Sequence, residues 1–129
     1  MYDNFFIRWS LTVLFISVNV STLESPQELL VYDGEYITVP CRASLNGTVR
    51  WYYTRSHEAP QNVIFDRNAV DSKYMNKVTV NNDPSSRESR DYNLSLPTVQ
   101  LNDDGWYICY IDYDDGSSII HPVLLTVKG

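Results

Sequence analysis

Short segments in which apolar and polar residues alternate recur along most of this chain. One runs through Ile37 and Val39, and another runs through Val49 and Trp51. Further segments of this kind cover residues 78–80, 94–96, 107–111 and 125–127. A period of two residues indicates a half-buried β-strand, and turn-forming stretches rich in Asp, Asn and Gly separate the segments. The pattern predicts an all-β sandwich of about seven or more short strands.

An apolar run over residues 9–20 follows Arg8 near the N-terminus. The run is too short to cross a bilayer, which takes ~20 residues, and it matches the apolar part of a secretory signal peptide. Small residues at Ser21 and Thr22 suit cleavage there. We therefore predict a signal peptide over residues 1–22 and one folded domain over residues 23–129. The alternative is that the run is a buried strand or helix of the domain itself.

Export determines how the two cysteines are interpreted. In an oxidising compartment Cys41 and Cys109 are candidates for a disulfide. The sequons that begin at Asn46 and Asn93 predict N-linked glycosylation. The chain is therefore predicted to be extracellular, either secreted or attached to a membrane only through a segment beyond Gly129.

Charge and residue spacing exclude several classes of function. The net charge of −6 argues against nucleic acid and against an anionic lipid surface as partners. The two His and two Cys are widely separated, so no zinc site and no cofactor are predicted. Neither His57 nor His121 accompanies a nucleophile motif such as Gly-x-Ser-x-Gly, and we therefore predict no enzyme and no small-molecule substrate. Of the classes of function considered, binding to a protein is the one that these observations leave.

Three spaced motifs occur together in this chain. Trp51 lies between the two cysteines, ten positions after the first, and residues 103–109 fit the pattern Asp-x-Gly-x-Tyr-x-Cys. Leu94, Leu96 and Val99 precede that second motif. Over residues 26–128 the chain resembles an immunoglobulin variable-type (V-set) domain, which implies a two-sheet Greek-key sandwich. Because the segment after Ile119 lacks the Phe/Trp-Gly-x-Gly bulge, the resemblance is to innate, adhesion or co-receptor domains rather than antigen receptors.

The resemblance also implies structural roles for particular residues. Tyr107 takes the tyrosine-corner position, where the hydroxyl bonds nearby backbone. Lys77 stands where the family more often has Arg, so its ion pair lacks a bidentate fork. The implied set is an inter-sheet disulfide Cys41–Cys109, core residues Trp51, Leu96 and Tyr107, and a salt bridge Lys77–Asp103.

Alternation along the strands predicts a binding face. If Trp51 and Cys109 point into the core, their neighbours point outward on the same sheet. A solvated sheet face is normally polar, whereas a large apolar patch with Tyr, Trp and Arg is typical of an interface. The predicted partner-binding residues are Arg50, Tyr52, Phe65, Trp106, Ile108 and Tyr110, with Asp112, Tyr113, Asp114 and Asp115 in the adjoining loop. The alternatives are that loop side chains cover this face, that a bulge shifts the alternation, or that the loop carboxylates associate weakly with Ca²⁺.

The predicted function is therefore recognition. We expect an extracellular recognition or adhesion domain of a cell-surface immunoglobulin-superfamily receptor. Its partner is a protein, either another copy of itself or a different molecule. The alternative is a free secreted binder, such as an immune effector or a decoy ligand.

Overall fold

A computed structural model describes residues 21–56, 61–84 and 88–129. Residues 1–20, and with them most of the predicted signal peptide, lie outside this part. The described residues form strands β1 (Ser21–Leu23), β2 (Gln27–Tyr32), β3 (Ile37–Val39), β4 (Arg42–Ser44), β5 (Gly47–Thr54), β6 (Asn62–Asp66), β7 (Ala69–Val70), β8 (Thr79–Val80), β9 (Asp83–Pro84), β10 (Ser89–Asp91), β11 (Leu94–Leu96), β12 (Gly105–Tyr113) and β13 (Ser118–Lys128). Two 3-10 turns, Ser72–Tyr74 and Leu101–Asp103, join them, and these residues contain no α-helix.

The first layer is a seven-stranded sheet in the order β1–β13–β12–β5–β6–β7, with β2 also pairing with β13. At its centre β12 pairs antiparallel with β5 on one side and with β13 on the other. The strands β1 and β2 instead run parallel to β13. The N-terminal part of the domain therefore extends the edge of this sheet.

The second layer consists of two three-stranded ladders, β3–β11–β8 and β4–β10–β9. Val39 lies opposite Leu94 in the first ladder, and Arg42 lies opposite Asp91 in the second. In each opposed pair of an antiparallel ladder the two residue numbers add up to a constant, and this constant is the same in both ladders. The two ladders therefore share one register. The layer is therefore one sheet that is interrupted in the middle, at residues 40–41 and 92–93.

The indole of Trp51 explains this interruption. Its Nε1 donates to the Tyr92 carbonyl oxygen at 2.7 Å. In an uninterrupted antiparallel ladder that oxygen would accept from the Cys41 N–H. The Cys41 N–H donates instead to Oδ1 of Asn93 at 3.0 Å. A side chain thus replaces a lost ladder bond, as buried backbone groups require.

The core lies between the two layers, and a disulfide crosses it. Cys41 of the second layer is bonded to Cys109 of the first, with a Cα–Cα distance of 6.6 Å. Trp51 and Leu96 are completely buried, and Tyr107 is buried beside them. The predicted all-β sandwich with one inter-sheet disulfide is confirmed.

Asp103 organises the turn that leads into β12. Its carboxylate accepts from the Gln100 N–H at 2.8 Å and pairs with Lys77 Nζ at 2.5 Å. Its backbone carbonyl accepts from the Tyr107 hydroxyl at 2.6 Å. Burial raises the pKa of that hydroxyl above its ordinary value, so it remains a donor at physiological pH. The structure therefore brings together the predicted ion pair and the tyrosine corner.

Candidate functional site

The side of the first sheet that faces away from the core is the candidate site. Ile108 on β12 lies opposite Tyr52 on β5 and opposite Pro122 on β13. Directly opposed side chains share one face of a sheet. The outer face, as we call it below, carries Arg50 and Tyr52 from β5, Trp106, Ile108 and Tyr110 from β12, and Ile120, Pro122 and Leu124 from β13.

An open groove of about 290 Å³ runs along this outer face. Its lining includes Trp106 and Tyr110 on one side, and Ile120 and Pro122 on the other. Leu23 of β1 adds an apolar side chain that is strongly exposed. The groove therefore presents mostly apolar surface to solvent, which is unusual for one face of a sheet in a soluble domain.

Tyr52 and Tyr110 form an edge-to-face pair beside the groove. Their ring centroids are 5.0 Å apart, and the planes make an angle of 77°. Such pairs hold both rings in place, and both side chains here remain half-exposed. Two rings held in place lose little conformational freedom when a partner binds, which suits them as anchors.

Ile108 differs from the prediction. It lies on the outer face, but only 9% of it is exposed. Tyr52 on β5 and Pro122 on β13 lie on either side of it, and Ile108 lines the bottom of the groove. Ile108 therefore shapes the floor, whereas the rings of Trp106 and Tyr110 present the accessible area.

The prediction that Phe65 lies on this face is wrong. Phe65 is 2% exposed and packs in the core, with its ring 6.2 Å from that of Tyr92. The pairing of β5 with β6 shifts between Trp51 and Tyr52, so that Phe65 lies opposite Trp51. One extra residue, Ile64, is accommodated at this bulge and is buried as well. The bulge reverses the alternation that the sequence suggests.

Arg50 lies at the end of the outer face between two carboxylates. Its Nε is 3.1 Å from Asp66 Oδ1, and its Nη1 is 2.8 Å from Asp112 Oδ2. Only 24% of the side chain is exposed. The guanidinium charge is thus satisfied within the domain, and Asp66 is also 3.4 Å from Nε of Arg67. Asp66 was not among the predicted site residues, because its position depends on the pairing of β6.

The turn after β12 carries negative charge. Asp114 and Asp115 are exposed, and no Lys or Arg of the described ranges forms an ion pair with either. Hydrogen bonds from the Ser117 hydroxyl, at 2.5 Å, and from its backbone N–H hold the pKa of Asp115 below its ordinary value. Asp115 is therefore ionised at physiological pH. Three carboxylates, with Asp112, form an acidic rim beside the groove.

Tyr113 differs from its predicted place in the loop. It is the last residue of β12, is half-buried and packs against the core. Strand β12 continues further than the sequence suggests because the aromatic ring extends the buried face of the strand. The turn proper is confined to residues 114–117.

Other predicted residues lie away from the outer face. Asn46 is exposed in the turn between β4 and β5, and Asn93 is half-buried in the second sheet. The Nδ1 atom of His121 is 3.3 Å from Glu24 Oε1, whereas His57 lies outside the described residues. Within the described ranges no group of three or more His, Cys, Asp or Glu side chains is arranged to hold a metal ion.

The sequence prediction missed the contribution of β13 and β1 to the groove. Ile120 and Pro122 alternate with inward-facing residues, so the parity of β13 carried a signal that could have placed them. Leu23 and Pro26 carried no such signal, because their position follows from the parallel pairing of β1 and β2 with β13. In the described part of the chain, no helix has the length and apolar character needed to cross a bilayer.

Comparison with known proteins agrees with this geometry. The immunoglobulin V-set domain family matches residues 24–128. The first immunoglobulin domain of RIG-5, solved as a homodimer, superposes with a TM-score of 0.65 at 17% identity, over 80% of this chain and 91% of that one. A VGSC beta subunit, studied for multimeric cell-adhesive interactions, gives 0.62 at 16% identity, over 80% of this chain and 92% of its own. The second immunoglobulin domain of the mouse polymeric immunoglobulin receptor gives 0.64 at 14% identity, over 81% and 98%.

Proposed function

Because the chain belongs to the immunoglobulin V-set domain family, we propose that it is an extracellular recognition domain of a cell-surface receptor. It binds a protein partner through the outer face of the seven-stranded sheet. The observation that carries this proposal is the apolar groove of about 290 Å³ on this face, because a sheet face exposed to solvent is normally polar. Burying that surface against a partner stabilises the complex by the hydrophobic effect.

The aromatic residues supply the anchors of the proposed interface. Tyr52 and Tyr110 are held edge to face at 5.0 Å and remain half-exposed. Tyrosine and tryptophan dominate binding energy at protein interfaces, and they do so near the centre of the contact. Trp106 lines the same groove and extends the aromatic surface along β12.

The acidic rim favours a partner with a basic surface. Asp112 shares the charge of Arg50 with Asp66, and Asp114 is exposed in the adjacent turn. A partner that brings Lys or Arg to this rim associates faster and gains specificity, and its binding weakens with salt. Among the structural neighbours, the RIG-5 domain forms a homodimer and the VGSC beta subunit is studied for cell-adhesive interactions, which supports a protein as the class of partner.

The test is a binding measurement on the purified extracellular protein against a library of extracellular proteins and against itself. Tyr52→Ala and Tyr110→Ala are each expected to cost about 2 kcal/mol, or roughly 30-fold in Kd. Tyr36→Ala is the matched control, because Tyr36 is an exposed tyrosine on the opposite sheet. Self-association in analytical ultracentrifugation that Tyr110→Ala abolishes would identify a second copy as the partner.

One result contradicts the proposal. If a partner is found and the folded Tyr52→Ala and Tyr110→Ala variants bind it as the parent does, the outer face does not carry recognition. Loss of binding in Tyr36→Ala alone would move the interface to the second sheet.

A further inference from the structure

The outer surface of the second sheet holds a polar pocket that plays no part in the proposed recognition. Its volume is about 290 Å³, and Tyr36, Thr38, Thr79, Asn81, Asn93 and Ser95 are among the residues that line it. The tyrosine ring contributes aromatic surface, and the other side chains named contribute hydroxyl and amide groups. A pocket of this composition suits a ligand that has many hydroxyl groups and one apolar face, which is the character of a sugar ring.

Three hydroxyl groups on one side of the pocket form a closed cluster. The Thr38 hydroxyl donates to the Tyr36 oxygen at 3.1 Å, and the Tyr36 hydroxyl donates to Ser95 Oγ at 3.3 Å. Thr38 Oγ1 and Ser95 Oγ are 3.1 Å apart. The cluster fixes the ring of Tyr36, although 64% of this residue is exposed. Because this ring is held in place and largely exposed, it is available for contact with a ligand.

Asn93 enters the same pocket with one end of its amide occupied. Its Oδ1 accepts from the Cys41 N–H at 3.0 Å, across the interruption of the second sheet. That bond orients the amide, and no described residue accepts a hydrogen bond from its Nδ2. Asn93, Leu94 and Ser95 form an N-glycosylation sequon. Nδ2 of Asn93, the atom that would carry the sugar, is therefore held in a pocket whose composition suits a sugar.

We propose that Asn93 carries an N-linked glycan whose first N-acetylglucosamine is seated in this pocket against Tyr36. In the modification, Nδ2 forms a bond to C1 of a lipid-pyrophosphate-linked oligosaccharide, the C1–O bond of the donor breaks, lipid pyrophosphate leaves and Nδ2 loses one proton. No oxidation or reduction is involved. Oδ1 is unchanged by this reaction and keeps the Cys41 N–H satisfied. This inference goes beyond the recognition function and does not depend on it.

The seated sugar has a structural consequence. It covers the sheet at the place where the backbone ladder is interrupted, and so it limits the access of water to the bond between Cys41 and Asn93. It also keeps this sheet from serving as a second contact surface. The glycan therefore stabilises the domain, which a sugar attached to an open turn does not do.

The experiment uses the full chain produced in a eukaryotic cell that makes oligomannose glycans. Mass spectrometry of the peptide that contains Asn93 is expected to show a glycan, which an amidase removes with conversion of Asn93 to Asp. In a separate treatment, a second enzyme trims the glycan of the intact native glycoprotein to a single N-acetylglucosamine. We expect the trimmed form to melt at the same temperature as the intact form and Asn93→Asp to melt on the order of 4 °C lower.

Two variants separate a seated sugar from one that is merely attached. Tyr36→Ala keeps the sequon, and it is expected to lower the Tm of the glycosylated protein by several degrees but to change little in the Asn93→Asp background. Asn46→Asp is the matched control, because Asn46 lies in an exposed turn, and its Tm is expected to remain within ~1 °C of the parent.

The outcomes that overturn the proposal are distinct from those that overturn recognition. Chain without sugar on Asn93, whether in the medium or inside the cell, overturns the modification. If Asn93 carries a sugar but the trimmed form and Asn93→Asp melt at the same temperature, the proposal that the sugar is seated in the pocket is overturned. Neither result bears on whether Tyr52→Ala and Tyr110→Ala alter binding to a partner.

Discussion

Replacing Asp103 by Ala should destabilise the domain by about 3 kcal/mol. The Asp103 carboxylate is buried and makes two contacts, one with the Gln100 N–H at 2.8 Å and one with Lys77 Nζ at 2.5 Å. Removing one partner of a buried ion pair costs about 3–5 kcal/mol, and the lower end applies because the Lys77 side chain is 36% exposed and recovers water. The truncation also leaves the backbone N–H of Gln100 without its acceptor.

Two further substitutions divide this loss into its parts. Asp103→Asn keeps an acceptor for Gln100 but removes the charge, so we expect a loss of about 1.5 kcal/mol. Lys77→Met leaves the carboxylate bonded to Gln100 without its counter-charge and should cost about 2 kcal/mol.

Urea unfolding followed by tryptophan fluorescence measures these free energies, with the m-value confirming that the unfolded state is unchanged. Asp104→Ala is the matched control: this neighbouring carboxylate is half-exposed, is 3.5 Å from Arg55, and should contribute no more than about 0.5 kcal/mol. The reasoning is refuted if Asp103→Ala and Asp104→Ala lower the free energy of unfolding by the same small amount.

Three other predictions test the fold and its electrostatics. Replacing both Cys41 and Cys109 by Ala should cost about 4 kcal/mol of unfolding free energy by the chain-entropy argument, since the bridge closes a loop with a sequence separation of 68; unchanged stability in urea would contradict this. Gly105→Ala should lower stability by at least ~2 kcal/mol, because φ is 138° and an added Cβ would lie 2.9 Å from the Tyr53 side chain and 3.0 Å from the Thr54 carbonyl. Gly34→Ala, at φ 93° with no atom within 4 Å of the added Cβ, should cost roughly half as much. Equal losses of stability in thermal unfolding would disprove the steric part of this argument. In an NMR titration the pKa of Asp115 should lie below its ordinary value of 3.8 and should rise in Ser117→Ala. Because the pKa in the folded state is lowered, the associated stability is present above pH 3.8 and is lost as the pH falls. An unchanged titration midpoint in the variant would rule out the Ser117 hydroxyl as the cause.

Local patterns were sufficient to predict the architecture. Alternation of apolar residues identified strands because successive side chains in an extended chain point to opposite faces whatever the neighbours are. The spacing of Cys41, Trp51 and Cys109 and the motif around the second cysteine then carried the resemblance to the V-set family, which implied the roles of Tyr107 and Asp103. The alternation and the motif each concern one strand and the turn beside it, and the cysteine spacing needs only positions in the sequence.

The details of the candidate site depended on pairing between strands, which is not a local property. Phe65 has the parity of an outer residue within β6, but the bulge opposite Trp51 and Tyr52 turns it into the core. Ile108 has the correct parity, yet its exposure depends on the side chains of two adjacent strands. A one-residue shift in register reverses every side chain beyond it, and nothing in the sequence of a single strand records that shift.

The strands and the class of fold could therefore be predicted from the period of the chain, and the disulfide from the two cysteines together with the family resemblance. Three contacts depended on the folded molecule: Arg50 pairs with Asp66 and Asp112, Leu23 lines the groove, and Asn93 Oδ1 accepts from the Cys41 N–H. Each of these contacts joins residues that are distant in the chain, so each requires the register of the sheets and the packing of the two layers to be known first.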